Sequence, residues 1–192
     1  YLDSVKLNLL EKTINILKSQ GPRILHISNF NEKNNHRLFN ISIASKLSNG
    51  FIRNNCDVIN FSYRNYLSNN FFPRLDEDII EISNNYKPDL LLLGHNNILS
   101  HKTLEVIKNK KTNIALWYED HVVNYGPNWQ TNLQLIEKNH ELIDKYFITT
   151  HPSVIKTKIN KNKLNYLPIP VDPNIENLKI YNNKYRYKDL FF

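Results

Sequence analysis

Short runs of apolar residues alternate along the chain with longer segments in which apolar residues recur every three or four positions. The short runs are typical of buried strands, and the longer segments are typical of amphipathic helices. We predict strands at residues 23–28, 57–62, 89–94, 114–118, 145–149 and 164–167, with helices between them at 36–54, 76–86, 100–110, 129–140 and 152–159. A further amphipathic helix is predicted at residues 2–19, where Leu7, Leu10, Ile14 and Leu17 share one stripe.

The repeated alternation of strand and helix predicts an α/β fold. We expect a doubly wound, mostly parallel Rossmann-like sheet with helices on both faces, because strands such as 89–94 are apolar on both sides. The predicted organisation is an N-terminal amphipathic helix at residues 1–20, a Rossmann-like domain at 21–173, and a linker or the start of a further domain at 174–192.

Polar side chains follow the predicted strands at their carboxyl ends, where open parallel sheets bind ligands. Asn29 and Asn31 follow the first strand, His95 and Asn96 the third, Glu119, Asp120 and His121 the fourth, and His151 the fifth. Carboxylates and imidazoles accept a proton from a hydroxyl group, so the set favours a polyhydroxylated ligand. The alternative for each residue is a structural hydrogen bond at a strand end, which we assign outright to His26 and His140.

Several motifs are missing from the sequence, and their absence excludes whole classes of protein. With four glycines, the chain has no G-x-G-x-x-G after a strand and no P-loop, so neither dinucleotide binding nor nucleoside triphosphate hydrolysis is expected. It also lacks G-x-S-x-G and H-E-x-x-H. A metal site built from His95, Asp120, His121 and His151 would contain no helical i, i+4 pair, and we predict no metal.

The composition narrows the classes of partner and the cellular compartment that we expect for this protein. The formal charge is +7, but the lysines are scattered, so we interpret them as a solvated surface and do not expect nucleic acid as the partner. A single cysteine, Cys56, fits a reducing cytoplasmic setting, and no apolar run approaches the roughly 20 residues of a membrane span. The chain starts at Tyr1 and contains no Met, so we expect a fragment of a longer protein.

Residues 23–172 contain a series of segments that together suggest a family. The segments are Arg23-Ile-Leu-His-Ile-Ser, the helix at 36–51 leading to Asp57-Val-Ile-Asn-Phe-Ser, Pro88-Asp-Leu-Leu-Leu-Leu-Gly-His95, Ile114-Ala-Leu-Trp-Tyr-Glu-Asp120, Tyr146-Phe-Ile-Thr149 and Tyr166-Leu-Pro-Ile-Pro-Val-Asp172. This series resembles the N-terminal, acceptor-side half of GT-B glycosyltransferases, in particular the family 4-like and spore-maturation-protein-like enzymes. The chain departs from many relatives at residues 29–35, which replace a glycine-rich loop.

The resemblance implies a glycosyltransferase that moves a sugar from a nucleotide-sugar donor to a hydroxyl on a small-molecule or glycan acceptor. Asp120 and His121 match the position of the family's catalytic group and would point into a cleft between two domains. Asn29, Asn31, His95, Asn96, Glu119 and His151 would bind the acceptor. The donor would sit on a C-terminal Rossmann-like domain outside this chain, so this half would bind no cofactor and would be inactive alone.

A second hypothesis stays open beside the resemblance. A non-catalytic α/β module could use the same crevice, or a cluster of lysines, to hold a sugar, a nucleotide or nucleic acid. The lysines that favour it are Lys156, Lys158, Lys161 and Lys163. Binding that depends on these lysines would weaken steeply with salt.

Overall fold

The computed structural model describes residues 21–30, 42–64, 66, 72–95, 97–174 and 176. The described residues form six strands and four α-helices. In chain order they are β1 (Arg23–Ser28), α1 (Ile43–Arg53), β2 (Asp57–Ser62), α2 (Leu75–Tyr86), β3 (Leu90–Gly94), α3 (His101–Lys108), β4 (Asn113–Tyr118), α4 (Trp129–Glu137), β5 (Lys145–Ile148) and β6 (Leu164–Tyr166). The predicted helix at residues 2–19 and most of the predicted C-terminal region at 174–192 lie outside the described residues.

All six strands lie parallel in one sheet with the order β2-β1-β3-β4-β5-β6. This arrangement confirms the predicted α/β fold with a Rossmann-like parallel sheet. The chain leaves β1 toward β2 on one side and later returns to β3 on the other side of β1. The winding direction therefore reverses between β1 and β3, and the carboxyl ends of these two strands flank a topological switch point.

The two faces of the sheet have separate apolar cores because successive strand residues point to opposite sides. One face carries Leu91, Ile114 and Tyr146, packed with residues of α2, α3 and α4. The other face carries Leu92 and Trp117, packed with partly buried residues of α1. Helices thus cover both faces, as the sequence predicts, and Trp117 is a core residue with 2% of its surface exposed.

The predicted helix at residues 152–159 is wrong. The structure has a single 3-10 turn there, Pro152–Val154, and the chain then runs irregularly. Ile155 and Ile159 are both buried, which explains the helical spacing, but Glu137 accepts hydrogen bonds from Thr157 Oγ1 and from the backbone N–H of Lys158. Side-chain hydrogen bonds of this kind compete with the bonds of a helix. The predicted helix at 129–140 likewise ends earlier, at Glu137.

Candidate functional site

The candidate site lies at the carboxyl edge of the sheet, next to the switch point between β1 and β3. Gly94 at the end of β3 pairs with Trp117 of β4, and His95 follows directly. Glu119 and Asp120 follow β4 in the same way. The register of β3 against β4 therefore brings the imidazole of one loop beside the two carboxylates of the next.

Backbone hydrogen bonds hold both loops close to the sheet. The N–H of His95 donates to the carbonyl of Trp117 at 2.8 Å, and His95 adopts a positive φ of 60° that turns the chain sharply out of the strand. The hydroxyl of Thr149 donates to the carbonyl of Glu119 at 2.8 Å. The positions of His95 and Glu119 therefore depend on β4 and on the residue that follows β5.

The imidazole of His95 lies between the two carboxylates. Its Nδ1 is 3.6 Å from Glu119 Oε1, and its Nε2 is 3.5 Å from Asp120 Oδ2. The ring stacks on Tyr118 with the centroids 5.4 Å apart and the planes 9° from parallel. Stacking fixes the plane of the ring, so both nitrogens stay directed at carboxylates at distances that are long for hydrogen bonds.

Two buried polar atoms of this group have no hydrogen-bond partner among the described residues. They are Nδ1 of His95 and Oε2 of Glu119. Buried polar atoms in proteins are nearly always hydrogen-bonded, and leaving one unpaired costs about 1–3 kcal/mol. Other buried atoms without a partner occur elsewhere in the described residues, but these two lie on adjacent ionisable side chains at the sheet edge, which makes this group the candidate site.

The environment of Glu119 changes its acidity. Burial raises the pKa of Glu119 above its usual value; His95 opposes this change, Asp120 adds to it, and Lys46 opposes it. Burial also raises the pKa of Tyr118, and the charges of Asp120 and Glu119 raise it further. Glu119 is therefore a stronger base than an exposed glutamate, while Tyr118 keeps its proton at neutral pH.

A close approach of β1 and β3 supports the site from below. A Cβ placed on Gly94 would lie 2.3 Å from Ser28 Oγ and 2.9 Å from His26 Nε2, which no real side chain tolerates. Ser28 Oγ donates to the carbonyl of Gly94 at 3.2 Å. Glycine is thus required at the residue that precedes His95.

His26 is a structural histidine, as the sequence predicts. It is fully buried, its Nδ1 is 2.8 Å from Ser48 Oγ, and its ring meets Phe30 edge-on. Burial lowers the pKa of His26 to about 3. The imidazole is therefore neutral at physiological pH and does not take part in the charged group at the edge.

The structure gives the local surroundings of three other predicted site residues, His121, His151 and Asn29. His121 is exposed, and its ring packs on Gly126, where an added Cβ would lie 2.2 Å from His121 Cγ. His151 is also exposed, and its Nδ1 contacts Ser153 Oγ at 2.8 Å and starts the 3-10 turn. Asn29 is half-buried directly after β1. Asn31 and Asn96 lie outside the described residues. The roles predicted for these residues stay predictions.

Sequence reasoning missed Lys46, which lies in the first turn of α1 and influences Glu119. Its ammonium is 2.5 Å from Glu176 Oε1, and its side chain is 9% exposed. A lysine in a first helical turn is unusual, because the positive end of the helix dipole favours acidic side chains there. That position is a weak signal in the sequence, and 24 other basic residues obscure it.

The described part of the chain has neither a cluster of metal ligands nor a helix that could span a membrane. No group of three or more His, Cys, Asp or Glu side chains there is arranged to hold a metal ion. Within the same residues, no helix has both the length and the apolar character needed to cross a bilayer.

Comparisons with known proteins contradict the resemblance to GT-B glycosyltransferases. No family model matches the chain, and no curated protein matches it significantly. A solved structure that does match is RecJ from Thermus thermophilus in complex with Mn²⁺, with 16% identity and a TM-score of 0.35. The match covers 70% of this chain and 20% of the RecJ chain. The predicted family is therefore wrong, and the similarity to RecJ is too low to carry an argument about function.

Proposed function

We propose that the carboxyl edge of the sheet binds a small ligand that carries hydroxyl groups, and that Glu119 accepts a proton from one of them. The observation that supports this most directly is the pair of buried, unpartnered atoms, His95 Nδ1 and Glu119 Oε2. One hydroxyl group placed between them would donate to the carboxylate and accept from the imidazole when Nδ1 carries a proton.

The chemistry of such a contact follows from the acidity of Glu119. A carboxylate whose pKa is raised takes a proton from a hydroxyl more readily than an exposed one. The O–H bond breaks as the proton moves to Glu119, and the ligand oxygen becomes a nucleophile. His95, held between Glu119 and Asp120, would orient the oxygen. Transfer of a sugar from a nucleotide-sugar donor to that oxygen stays a prediction, which neither the comparisons nor the structure test.

A non-catalytic binding module remains the alternative, and the structure bears on its best feature. The ammonium of Lys163 donates to the carbonyl of Ile143 at 2.7 Å and to that of His140 at 3.0 Å. This lysine therefore stabilises the end of the α4 region. Three lysines of the cluster remain for contacts with a phosphate backbone: Lys156, Lys158 and Lys161. Three such contacts would give weak binding to nucleic acid.

Nuclear magnetic resonance with glucose as the polyhydroxylated probe would test the proposal. We expect backbone amide shifts at His95, Glu119 and Asp120 in the wild-type protein and a loss of these shifts in Glu119→Gln. Glu81→Gln, which removes an exposed carboxylate on α2, is the matched control and should respond like wild type. Shifts confined to the region of residues 156–163 would contradict the proposal and favour the lysine cluster.

A further inference from the structure

The segment that follows β6 crosses from the edge of the sheet to α1. It comprises residues 167–174 and Glu176, and we call it the exit segment. It begins with a hydrogen bond from the N–H of Leu167 to the carbonyl of Ile148 at 2.9 Å. It contains Pro168, Pro170 and Pro173, which fix φ and favour an extended path. Although β6 and β2 lie at opposite edges of the sheet, the exit segment reaches the helix that connects β1 to β2.

Asp172 anchors the exit segment on α1. Its Oδ2 accepts from Arg53 Nη2 at 2.9 Å and from Asn49 Nδ2 at 3.0 Å, and the residue is 1% exposed. The hydrogen bond from Arg53 is the main reason that the pKa of Asp172 falls to about 2. The side chain of Asp172 is therefore ionised and held in place by Arg53 and Asn49, while its backbone carbonyl accepts from the N–H of Glu176 at 2.8 Å.

The carboxylate of Glu176 is held by two donors. Its Oε1 is 2.5 Å from the ammonium of Lys46, and its Oε2 accepts from the backbone N–H of Asp172 at 2.8 Å. An ammonium and a backbone N–H that converge on the two oxygens of one carboxylate form a cradle for an oxyanion. One of these donors, the N–H of Asp172, is fixed by the side-chain anchors of its own residue.

The ammonium of Lys46 needs an anion in its neighbourhood. Its side chain is nearly buried, and a buried charge without a partner is strongly destabilising. Its position in the first turn of α1, where the helix dipole is positive, adds to the local positive potential. The charge of Lys46 lowers the pKa of Glu119, so the cradle lies within electrostatic range of the candidate site.

We propose that the ammonium of Lys46 and the backbone N–H of Asp172 form a binding site for one oxyanion group of an external ligand, a phosphate or a carboxylate, and that Glu176 is the internal occupant which this group displaces. Glu176 is the replaceable member because its carboxylate, unlike that of Asp172, has no further side-chain anchor on α1 and is 31% exposed. The inference that one ligand places a hydroxyl at Glu119 and an oxyanion at Lys46 rests on the proposed function. The inference that Lys46 and Asp172 bind an oxyanion does not.

Binding of inorganic phosphate, followed by backbone amide shifts, tests this site. We expect Glu176→Ala to bind phosphate roughly tenfold more tightly than wild type, since loss of one competing charge-assisted contact is worth about that factor. The largest shift should be at the amide of Asp172. The additional change Lys46→Met should abolish the gain. Equal affinity in wild type and Glu176→Ala would overturn the proposal and leave Glu176 as a local cap on the backbone of Asp172.

Controls separate this result from charge effects and from the proposed function. Glu81→Ala removes the same charge from an exposed position on α2 and should leave phosphate affinity unchanged. Acetate in place of phosphate tells which oxyanion the cradle prefers. Glu119→Gln should keep the gain produced by Glu176→Ala while losing the response to glucose; loss of both would tie the cradle to Glu119. If Glu176→Ala disturbs folding, displacement of the Glu176 side chain by phosphate in wild type, read at its carboxyl carbon, provides the same test.

Discussion

The two edges of the sheet carry the same kinds of side chain but use them differently. At the amino edge, Asp144 pairs with Lys108 and accepts from the N–H of Ile114 at 2.9 Å. Asp89 likewise accepts from the N–H of Arg23 at 2.8 Å. These carboxylates close the ends of strands with short hydrogen bonds.

At the carboxyl edge the corresponding groups are left incompletely paired. Glu119 and Asp120 approach His95 at 3.5–3.6 Å, and two of the buried atoms lack a partner among the described residues. The long contacts of His95 with Glu119 and Asp120 therefore stabilise the fold less than the short hydrogen bonds of Asp144 and Asp89 do. Single buried atoms without a partner, such as the hydroxyl of Tyr86, occur elsewhere in the described residues. The difference teaches that the candidate site is marked by two such atoms on adjacent ionisable side chains.

The largest expected effect concerns His26, which lies within the sheet and not at either edge. Its contribution to acid unfolding must be measured separately from that of the carboxylates at the two edges. The pKa of His26 is lowered to about 3 in the folded state. Below pH 6.5 the unfolded chain therefore binds a proton at His26, whereas the folded chain stays unprotonated there until the pH approaches 3. Stability should therefore be complete above pH 6.5 and fall by roughly 3 kcal/mol on going down to pH 4. Urea unfolding at a series of pH values measures this loss.

The control for that prediction is His26→Gln, which cannot titrate in this range. It should be less stable than wild type at pH 7, because the packing against Phe30 changes, and should show a flatter decline in acid. An equally steep decline in His26→Gln would show that carboxylates at the two edges, and not His26, govern acid unfolding.

A smaller effect is expected where the sheet supports the candidate site. Gly94→Ala introduces a Cβ that collides with Ser28 and His26, and we expect a loss of about 1–3 kcal/mol together with displacement of His95. Gly50→Ala is the matched control, since nothing lies within 4 Å of its added Cβ and alanine favours the helix by roughly 0.5–1 kcal/mol. Chemical denaturation of both variants gives the comparison, and a destabilisation of equal size in both would refute it.

The smallest pair of effects compares one carboxylate from each edge. Asp144→Ala should cost about 1–2 kcal/mol at pH 7, because the N–H of Ile114 loses its acceptor. Glu119→Gln should be neutral or slightly stabilising at pH 7. Since the folded-state pKa of Glu119 is raised, its contribution to stability is full below its unfolded pKa and is lost as the pH rises through the folded value.

Thermal unfolding of these two variants at pH 7 and again at pH 4 is the measurement. The advantage of Glu119→Gln over wild type should shrink at the lower pH, where wild-type Glu119 becomes protonated. A strong destabilisation by Glu119→Gln at both pH values would mean that the carboxyl edge is held together like the amino edge, and the contrast between them would not hold.

The sequence predicts the local elements well where their signals are local. Residues 23–28 and 57–62 form strands with the bounds that their apolar runs indicate. The predicted helix at 152–159 is wrong because the spacing of Ile155 and Ile159 reflects their burial. Glu137, some twenty residues earlier, accepts hydrogen bonds from Thr157 Oγ1 and from the N–H of Lys158, and these bonds compete with those of a helix. The resemblance to glycosyltransferases rests on the same local signals, which many parallel sheets share, and this is why it could mislead.

For the candidate site, the sequence by itself determines that polar side chains follow the strands, because an apolar run must end where the buried strand ends. Tertiary structure alone decides which of those side chains meet. The pairing of Gly94 with Trp117 brings His95 to Glu119, and the exit segment carries Glu176 to Lys46, 130 positions away in the chain. Periodicity reports the burial of each residue along the chain, whereas strand register and the path of the exit segment are long-range properties that no local pattern contains.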